Sequence, residues 1–307
     1  MIKETRSTEA AQTKPWSVEQ RLEFIEFMAY WEGGLNRADI IARFGVSPQQ
    51  ASGDLSLYQQ LAPENLRYDL KAKRYVPTGA FACQFIHPDP DKYLGQLTAL
   101  TTHSVGQSAT WIDGNLAADV IPMPTRRVSP DVLRGVLAAV RARRSLEIHY
   151  QSLNPASPTV VWRRVTPHAF ASDGFRWHMR AFCHRDHRFK DFVLSRCTGT
   201  RDLAEPGADA SSDSDWNDHF TAVFIANPNL TTGQQRSIER DYAMHHGKVL
   251  LAIRYALLYY FHKRLGADFA PSLLRSATGA PREMSLVIEN LSQYEAALRR
   301  VGVFIHS

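Results

Sequence analysis

Gly174-Phe175-Arg176-Trp177-His178-Met179-Arg180-Ala181-Phe182-Cys183, the turn His184-Arg185-Asp186-His187, and the run Phe189-Lys190-Asp191-Phe192-Val193-Leu194-Ser195-Arg196 form the stretch around which this chain is organised. In the first run Phe175, Trp177, Met179, Ala181 and Cys183 alternate with Arg176, His178 and Arg180. A period of two belongs to a half-buried strand. The polar turn leads to a second apolar strand, so the pair is expected to be a β-hairpin. Its second face carries two arginines and a histidine. That face is either a solvated surface or an anion site, because guanidinium forks match phosphate oxygens. Internal carboxylates separate the two: if acids line the face the cluster is structural, and Asp191 on the facing strand is the candidate partner.

The longer string, Phe-Arg-Trp-His-x-Arg-Ala-Phe-Cys followed by Phe-x-Asp-Phe-x-Leu-x-Arg, resembles one branch of the WYL domain. His178 and Met179 stand here for the Tyr and Leu of the three-letter signature. The branch is that of transcriptional repressors beside bacterial anti-phage defence operons, the BrxR/CapW-like regulators. The resemblance implies a multidomain α+β fold: an N-terminal winged helix-turn-helix, a WYL domain shaped as an Sm-like β-barrel, and a C-terminal small α/β domain that helps to build a dimer. It implies a polar ligand pocket on the barrel, at Tyr150, Ser152, His168, Arg176, His178, Arg180 and Arg196. Arg196 enters that set from the resemblance, not from alternation, since a one-residue slip would turn it to the other face. The expected partners are an inverted-repeat DNA operator, a second copy of the chain, and a nucleotide or nucleic-acid effector.

The 307 residues allow two or three domains, and 44% hydrophobic with 22% charged residues is ordinary for a globular protein. A net charge of +5 permits a nucleic-acid partner. No apolar run has the length of a membrane span, and the N-terminus is unlike a signal peptide, so a cytoplasmic location is expected. Three cysteines without close spacing argue against a disulfide framework.

Taken in order, residues 1–15 are expected to be a disordered lead, and 16–80 a winged helix-turn-helix. Ser17 with Gln20 marks a capping box, followed by the stripe Phe24, Met28 and Trp31. Asn36 opens a second helix, which Gly45 ends. Ser47-Pro48-Gln49-Gln50 opens a third, with Gln50 expected to close a box. On that helix Ala51, Leu55, Tyr58 and Ala62 share a packing face, with Gln49, Gly53, Ser56 and Gln60 opposite. A recognition helix reads bases near its N-terminus, and Gln pairs bidentately with adenine. Arg67 to Val76 alternates like a hairpin with a basic tip. The expected DNA-facing residues are Arg37, Ser47, Gln49, Gln50, Ser52 and Ser56, with Lys71, Lys73 and Arg74 on the wing neutralising phosphates.

Residues 81–128 are expected to be a helical connector, and 129–203 the WYL domain. The latter opens with a helix at Ser129-Pro130, whose basic end (Arg141, Arg143, Arg144) is either a DNA-contacting patch or, the favoured reading, a complement to the helix dipole. Ala204 to Asp218, rich in Ala, Ser, Asp, Gly and Pro, is expected to be a flexible linker, and 219–307 the dimerisation domain. No phosphate-binding loop, nucleophile elbow or His-Glu-x-x-His helix is present. Cys183, His184, His187 and Cys197 are weighed as zinc ligands and set aside, and no cofactor is expected. The alternative function is nuclease-like processing of nucleotides or nucleic acid by the Arg/His cluster, which has no obvious metal-binding carboxylate pair beside it.

Overall fold

The computed structural model describes residues 17–303, apart from 113, 115, 154, 156–158 and 270–283; the lead expected over 1–15 lies outside the described residues. The chain parts into two compact units between Met123 and Pro124.

In the first unit α1 (Val18–Trp31) starts from Ser17, whose hydroxyl accepts the Gln20 N–H while the Gln20 side chain returns the bond, as expected. Its buried side is Leu22, Ile25 and Ala29; of the expected stripe, Phe24 is buried and Met28 only partly so. Helix α2 (Arg37–Phe44) is capped by Asn36 and ended by Gly45 at φ 66°, a left-handed turn that glycine enters without strain. Helix α3 (Pro48–Leu61) buries Ala51, Leu55 and Tyr58, with Ala62 beyond its end, and leaves Gln49, Gly53, Ser56 and Gln60 exposed, matching the expected division of faces. Strands β1 (Leu66–Asp69) and β2 (Arg74–Pro77) pair antiparallel as the wing. A bridge between Leu35 and Tyr75 ties β2 to the α1–α2 turn. There a Cβ on Gly34 would collide with the Tyr75 carbonyl oxygen.

The connector expected over 81–128 is corrected in its first thirty residues. Phe81, Phe85 and Trp111 pack on the three-helix core. The fully buried Glu26 carboxylate accepts the N–H groups of Gln84, Phe85 and Ile86 at 2.6–3.0 Å and the Tyr58 hydroxyl at 2.9 Å. A buried carboxylate needs such donors, so this segment folds as part of the first unit. Helix α4 (Pro90–Thr101), capped by Asp89, follows within it.

The second unit begins with α5 (Pro130–Ala142). A five-stranded antiparallel sheet follows: β3 (Ser145–Tyr150), β4 (Val161–Ser172), β5 (Trp177–Cys183), β6 (Arg188–Val193) and β7 (Cys197–Ala204), in the order β6-β5-β4-β3-β7. Helix α5 covers one face through Val132, Val136 and Ala139, against Leu146, Ile148, Val165, Met179, Ala181, Cys183 and Phe192. The expected hairpin is present, with Arg180 opposite Asp191 and Phe182 opposite Phe189. No pairing closes β6 onto β7 among the described residues. The sheet is open, not the closed barrel expected; a short helical turn, Leu194–Arg196, carries the chain from one edge strand to the other.

The flexible linker expected over 204–218 is also corrected. Asp209 and Asp213 cap a helical turn (Ala210–Ser212) and the short α6 (Ser214–Asn217), and Asp213 is itself buried. Aspartates at cap positions order a segment whose composition alone suggests flexibility. Beyond it β8 (His219–Ala226), α7 (Thr232–Asp241), β9 (Lys248–Arg254), α8 (Tyr255–Phe269), β10 (Leu286–Ile288) and α9 (Leu291–Arg300) form a small α/β layer, with strand order β10-β8-β9. Its core holds Phe220, Phe224, Leu258, Tyr294 and Leu298.

Candidate nucleic-acid interface and effector-binding face

The third helix of the first unit is held from behind. Asp54, buried in α3, accepts both Nε and Nη2 of Arg21 in α1, at 2.7 and 3.1 Å. It also accepts the Gln50 side-chain amide at 2.9 Å. Ser47 accepts the Gln50 N–H, but the reciprocal half of the expected capping box is missing because Gln50 turns to Asp54 instead. Gln50 therefore keeps its side-chain oxygen and one of its two amide hydrogens for a base, with its orientation set by Asp54. Gln49 is exposed, without a side-chain hydrogen bond among the described residues. Ser47 and Ser56 are exposed as well, and the exposed Arg37 donates to the Ser52 hydroxyl at 3.4 Å.

On the wing, Asp69 accepts the N–H groups of Lys71 and Ala72 at 2.8 and 2.9 Å, and these bonds hold its carboxyl below the usual range. The turn exposes Lys71 and Lys73, the latter with a left-handed backbone at φ 52°. Arg74 departs from expectation. Its guanidinium donates to the carbonyls of Gly34 and Glu32, so it clamps the wing to the α1–α2 turn rather than standing free for phosphate.

In the second unit the arginine-bearing face of β5 is neither solvated nor cationic. His178 and Arg180 are buried, so the strand is covered on both sides. Arg180 donates to Asp213 through Nε and Nη2 at 2.7 and 2.9 Å, and to Asp191 through Nη1 at 3.3 Å. His168 lies 3.0 Å from Asp213. Asp173, at the head of the turn, accepts Arg176 Nε at 2.9 Å and stands 3.2 Å from His178 Nε2. Tyr260 of α8 donates to Asp191 at 3.2 Å and lays its ring 4.4 Å from the His178 ring. Two arginines thus face three aspartates, Asp173, Asp191 and Asp213.

Proton affinities follow the geometry. Burial pushes Asp213 up, but the bonds from Arg180 and His168 outweigh it and hold the carboxyl at about 2. Asp173 behaves alike, with burial overcome by bonds from Phe175, His178 and Arg176, and also stands at about 2. Asp191 is raised, because burial exceeds the weaker pull of an Arg180 whose shorter bonds go to Asp213. His178 is lowered by burial, against the opposing bond to Asp173.

The expected pocket is therefore divided. His168, Arg176, His178 and Arg180 gather in this ion-pair network. Tyr150 lies in the sheet's other face, its ring 5.2 Å from Phe192 in the α5-covered core and its hydroxyl accepting the Val193 N–H at 3.3 Å. Arg196 and Ser152 flank Tyr150 at the end of β3, where the Gln151 N–H donates to the Arg196 carbonyl at 3.1 Å. The sequence reading missed Asp54, Asp173, Asp213, Tyr260 and Arg163. Asp173-Gly174 ahead of the strand was a visible turn signal. Arg21–Asp54 and Arg180–Asp213 each span 33 positions and left no local trace.

Three family models match the chain: the BrxR transcriptional regulator winged helix-turn-helix domain over residues 17–99, the WYL domain over 131–201, and the BrxR transcriptional regulator C-terminal dimerization domain over 219–294. The chain is 33% identical over 294 residues to the DNA-binding transcriptional repressor CapW of Escherichia coli (strain KTE188), covering 96% of each. Against CapW of Stenotrophomonas maltophilia it is 33% identical over 286 residues, covering 92% of this chain and 93% of that one. Against CapW of Pseudomonas aeruginosa it is 33% identical over 284 residues, covering 91% and 93%. Among solved structures, the proteasome accessory factor B/C (PafBC) of Arthrobacter aurescens aligns at 16% identity with a TM-score of 0.24, over 98% of this chain and 51% of that one; the chain spans about half the length of that protein.

Proposed function

The chain belongs to the CapW/BrxR family of DNA-binding transcriptional repressors, and from that premise we propose that it acts as a homodimer on an inverted-repeat operator. The observation that carries the reading is the N-terminal turn of α3. Its side chains Ser47 and Gln49 are exposed, as is Ser56 further along the helix, and the helix behind them is fixed by Arg21–Asp54. A rigid helix presenting amide and hydroxyl groups suits base edges in a major groove. Lys71 and Lys73 supply phosphate contacts from the wing, and Arg37 adds a cation beside Ser52. A two-fold pair then sets the half-sites about one helical turn, roughly 34–36 Å, apart or a multiple of it.

The WYL portion is the sensor in this reading, an open five-stranded sheet with β3 between β4 and β7. Its effector is a nucleotide or nucleic acid, and the regulated genes are those of an anti-phage defence operon. An effector changes DNA affinity only through different affinity for two states of the dimer. The test is a binding assay on DNA upstream of the protein's own gene. Retention of that DNA over unrelated sequence, without its cleavage, supports a repressor. Hydrolysis of the DNA, or equal affinity for all sequences, overturns it in favour of the nuclease-like alternative.

A further inference from the structure

Three arginines are buried among the described residues, Arg21, Arg163 and Arg180, each 5 or 6% exposed. Arg21 forks onto Asp54, and Arg180 onto Asp213 with Asp191 beside it. Arg163 makes no hydrogen bond or ion pair among the described residues, and its buried Nε has no acceptor. Its neighbour is an aromatic face: the guanidinium carbon lies 5.7 Å from the centre of the Tyr150 ring. A ring face recovers only part of what removing a guanidinium from water costs. The chain thus neutralises two equally buried arginines internally and leaves the third to something else.

The position says what that is. Arg163 sits in β4 opposite Ile148 of β3, and Tyr150 lies two residues further along β3. The Tyr150 hydroxyl accepts the Val193 N–H, which leaves its own O–H to donate. Arg196, half-buried and also without an ion pair among the described residues, joins this end of β3 through its carbonyl. An arginine and a phenol, with no carboxylate bonded to either among the described residues, fit an oxyanion. We propose that Arg163 and Tyr150 form an anion site on the inner face of the five-stranded sheet, where the effector's phosphate group binds. The proposal rests on the effector reading above, but places the contact opposite the Arg176–Arg180 face, whose cations Asp173, Asp191 and Asp213 already occupy.

The test is calorimetric titration of the full chain with inorganic phosphate, a deoxynucleoside monophosphate and a short single-stranded oligodeoxynucleotide. Wild type, Arg163→Lys and Arg163→Met are compared, with melting temperatures recorded before ligand is added. Saturable binding of at least one probe by wild type is expected, weaker in Arg163→Lys and reduced about tenfold or more in Arg163→Met. Unliganded Arg163→Met should melt no lower than wild type. Binding of inorganic phosphate would mark the bare anion as sufficient; binding of the other two alone would mark an esterified phosphate. No binding to wild type, equal affinity in Arg163→Met, or a lower unliganded melting temperature for it would overturn the site. Operator affinity measured on the same samples separates the two ideas. A probe that binds through Arg163 without changing operator affinity upholds the anion site and sinks the effector reading.

Discussion

The two faces of the five-stranded sheet carry arginines of nearly equal burial and opposite circumstance. On the outer face Arg180 is enclosed by Asp213 and Asp191, Arg176 and His178 share Asp173, and Tyr260 seals the group. On the inner face Arg163 has, among the described residues, the Tyr150 ring and no ion pair. The lesson concerns where a cation is available. A cluster conspicuous in sequence is the one most thoroughly neutralised in space, whereas an inconspicuous arginine makes no ion pair among the described residues. The same division runs through the first unit, where Arg74 is bound to carbonyls while Lys71 and Lys73 stand in solvent.

The contrast breaks most visibly in stability. Arg180→Ala leaves Asp213 and Asp191 buried without their cation, and should cost about 3–5 kcal/mol in denaturant unfolding. Arg163→Met strands no carboxylate and should lose nothing. Equal losses in both would show that the two faces do not differ.

An acid titration sharpens the same point. Asp173 and Asp213 are depressed in the folded protein to about 2, from an ordinary 3.8. Their contribution is complete above 3.8 and is lost as pH falls towards 2. Asp191, raised by burial, works in the opposite sense. Wild type and Arg163→Met should share the acid-labile limb, and Asp213→Asn should have a shallower one. An unchanged limb in Asp213→Asn would contradict the network.

How far the sequence could foresee this depends on the range of the interactions. Caps and turns were legible: Ser17, Asn36, Ser47 and the β5–β6 hairpin fall where short-range chemistry puts them. The period of two along Phe175–Cys183 correctly separated Arg180 from Met179, yet could not reveal that both faces are covered. The covering groups, Asp213 and Tyr260, lie 33 and 80 positions beyond Arg180. Composition misled over 204–218, where the acids that suggest a linker are helix caps and an ion-pair partner. Tyr150 was grouped with the arginines by family likeness, although its ring belongs to the other face.

Smaller effects divide free from tethered groups at the DNA-binding surface. Gln49→Ala should relax base preference by about 1–3 kcal/mol, as loss of a bidentate contact does. Gln50→Ala should cost less, since its amide already serves Asp54. A competition assay with single-base operator variants checks both. Lys73→Ala should lower the slope of log affinity against log salt by about one. Arg74→Ala should leave that slope near the wild-type value while loosening the wing, seen as lower thermal stability. A slope change in Arg74→Ala equal to that in Lys73→Ala would return Arg74 to the phosphate contacts.

Whether this chain reads DNA as a two-fold pair is tested most directly by footprinting the full protein on the DNA upstream of its own gene. The predicted result is protection of two inverted half-sites centred about one helical turn, roughly 34–36 Å, or a multiple of it apart, appearing together as protein is added. Protection of one isolated half-site, by a species that sediments as a monomer, would contradict it.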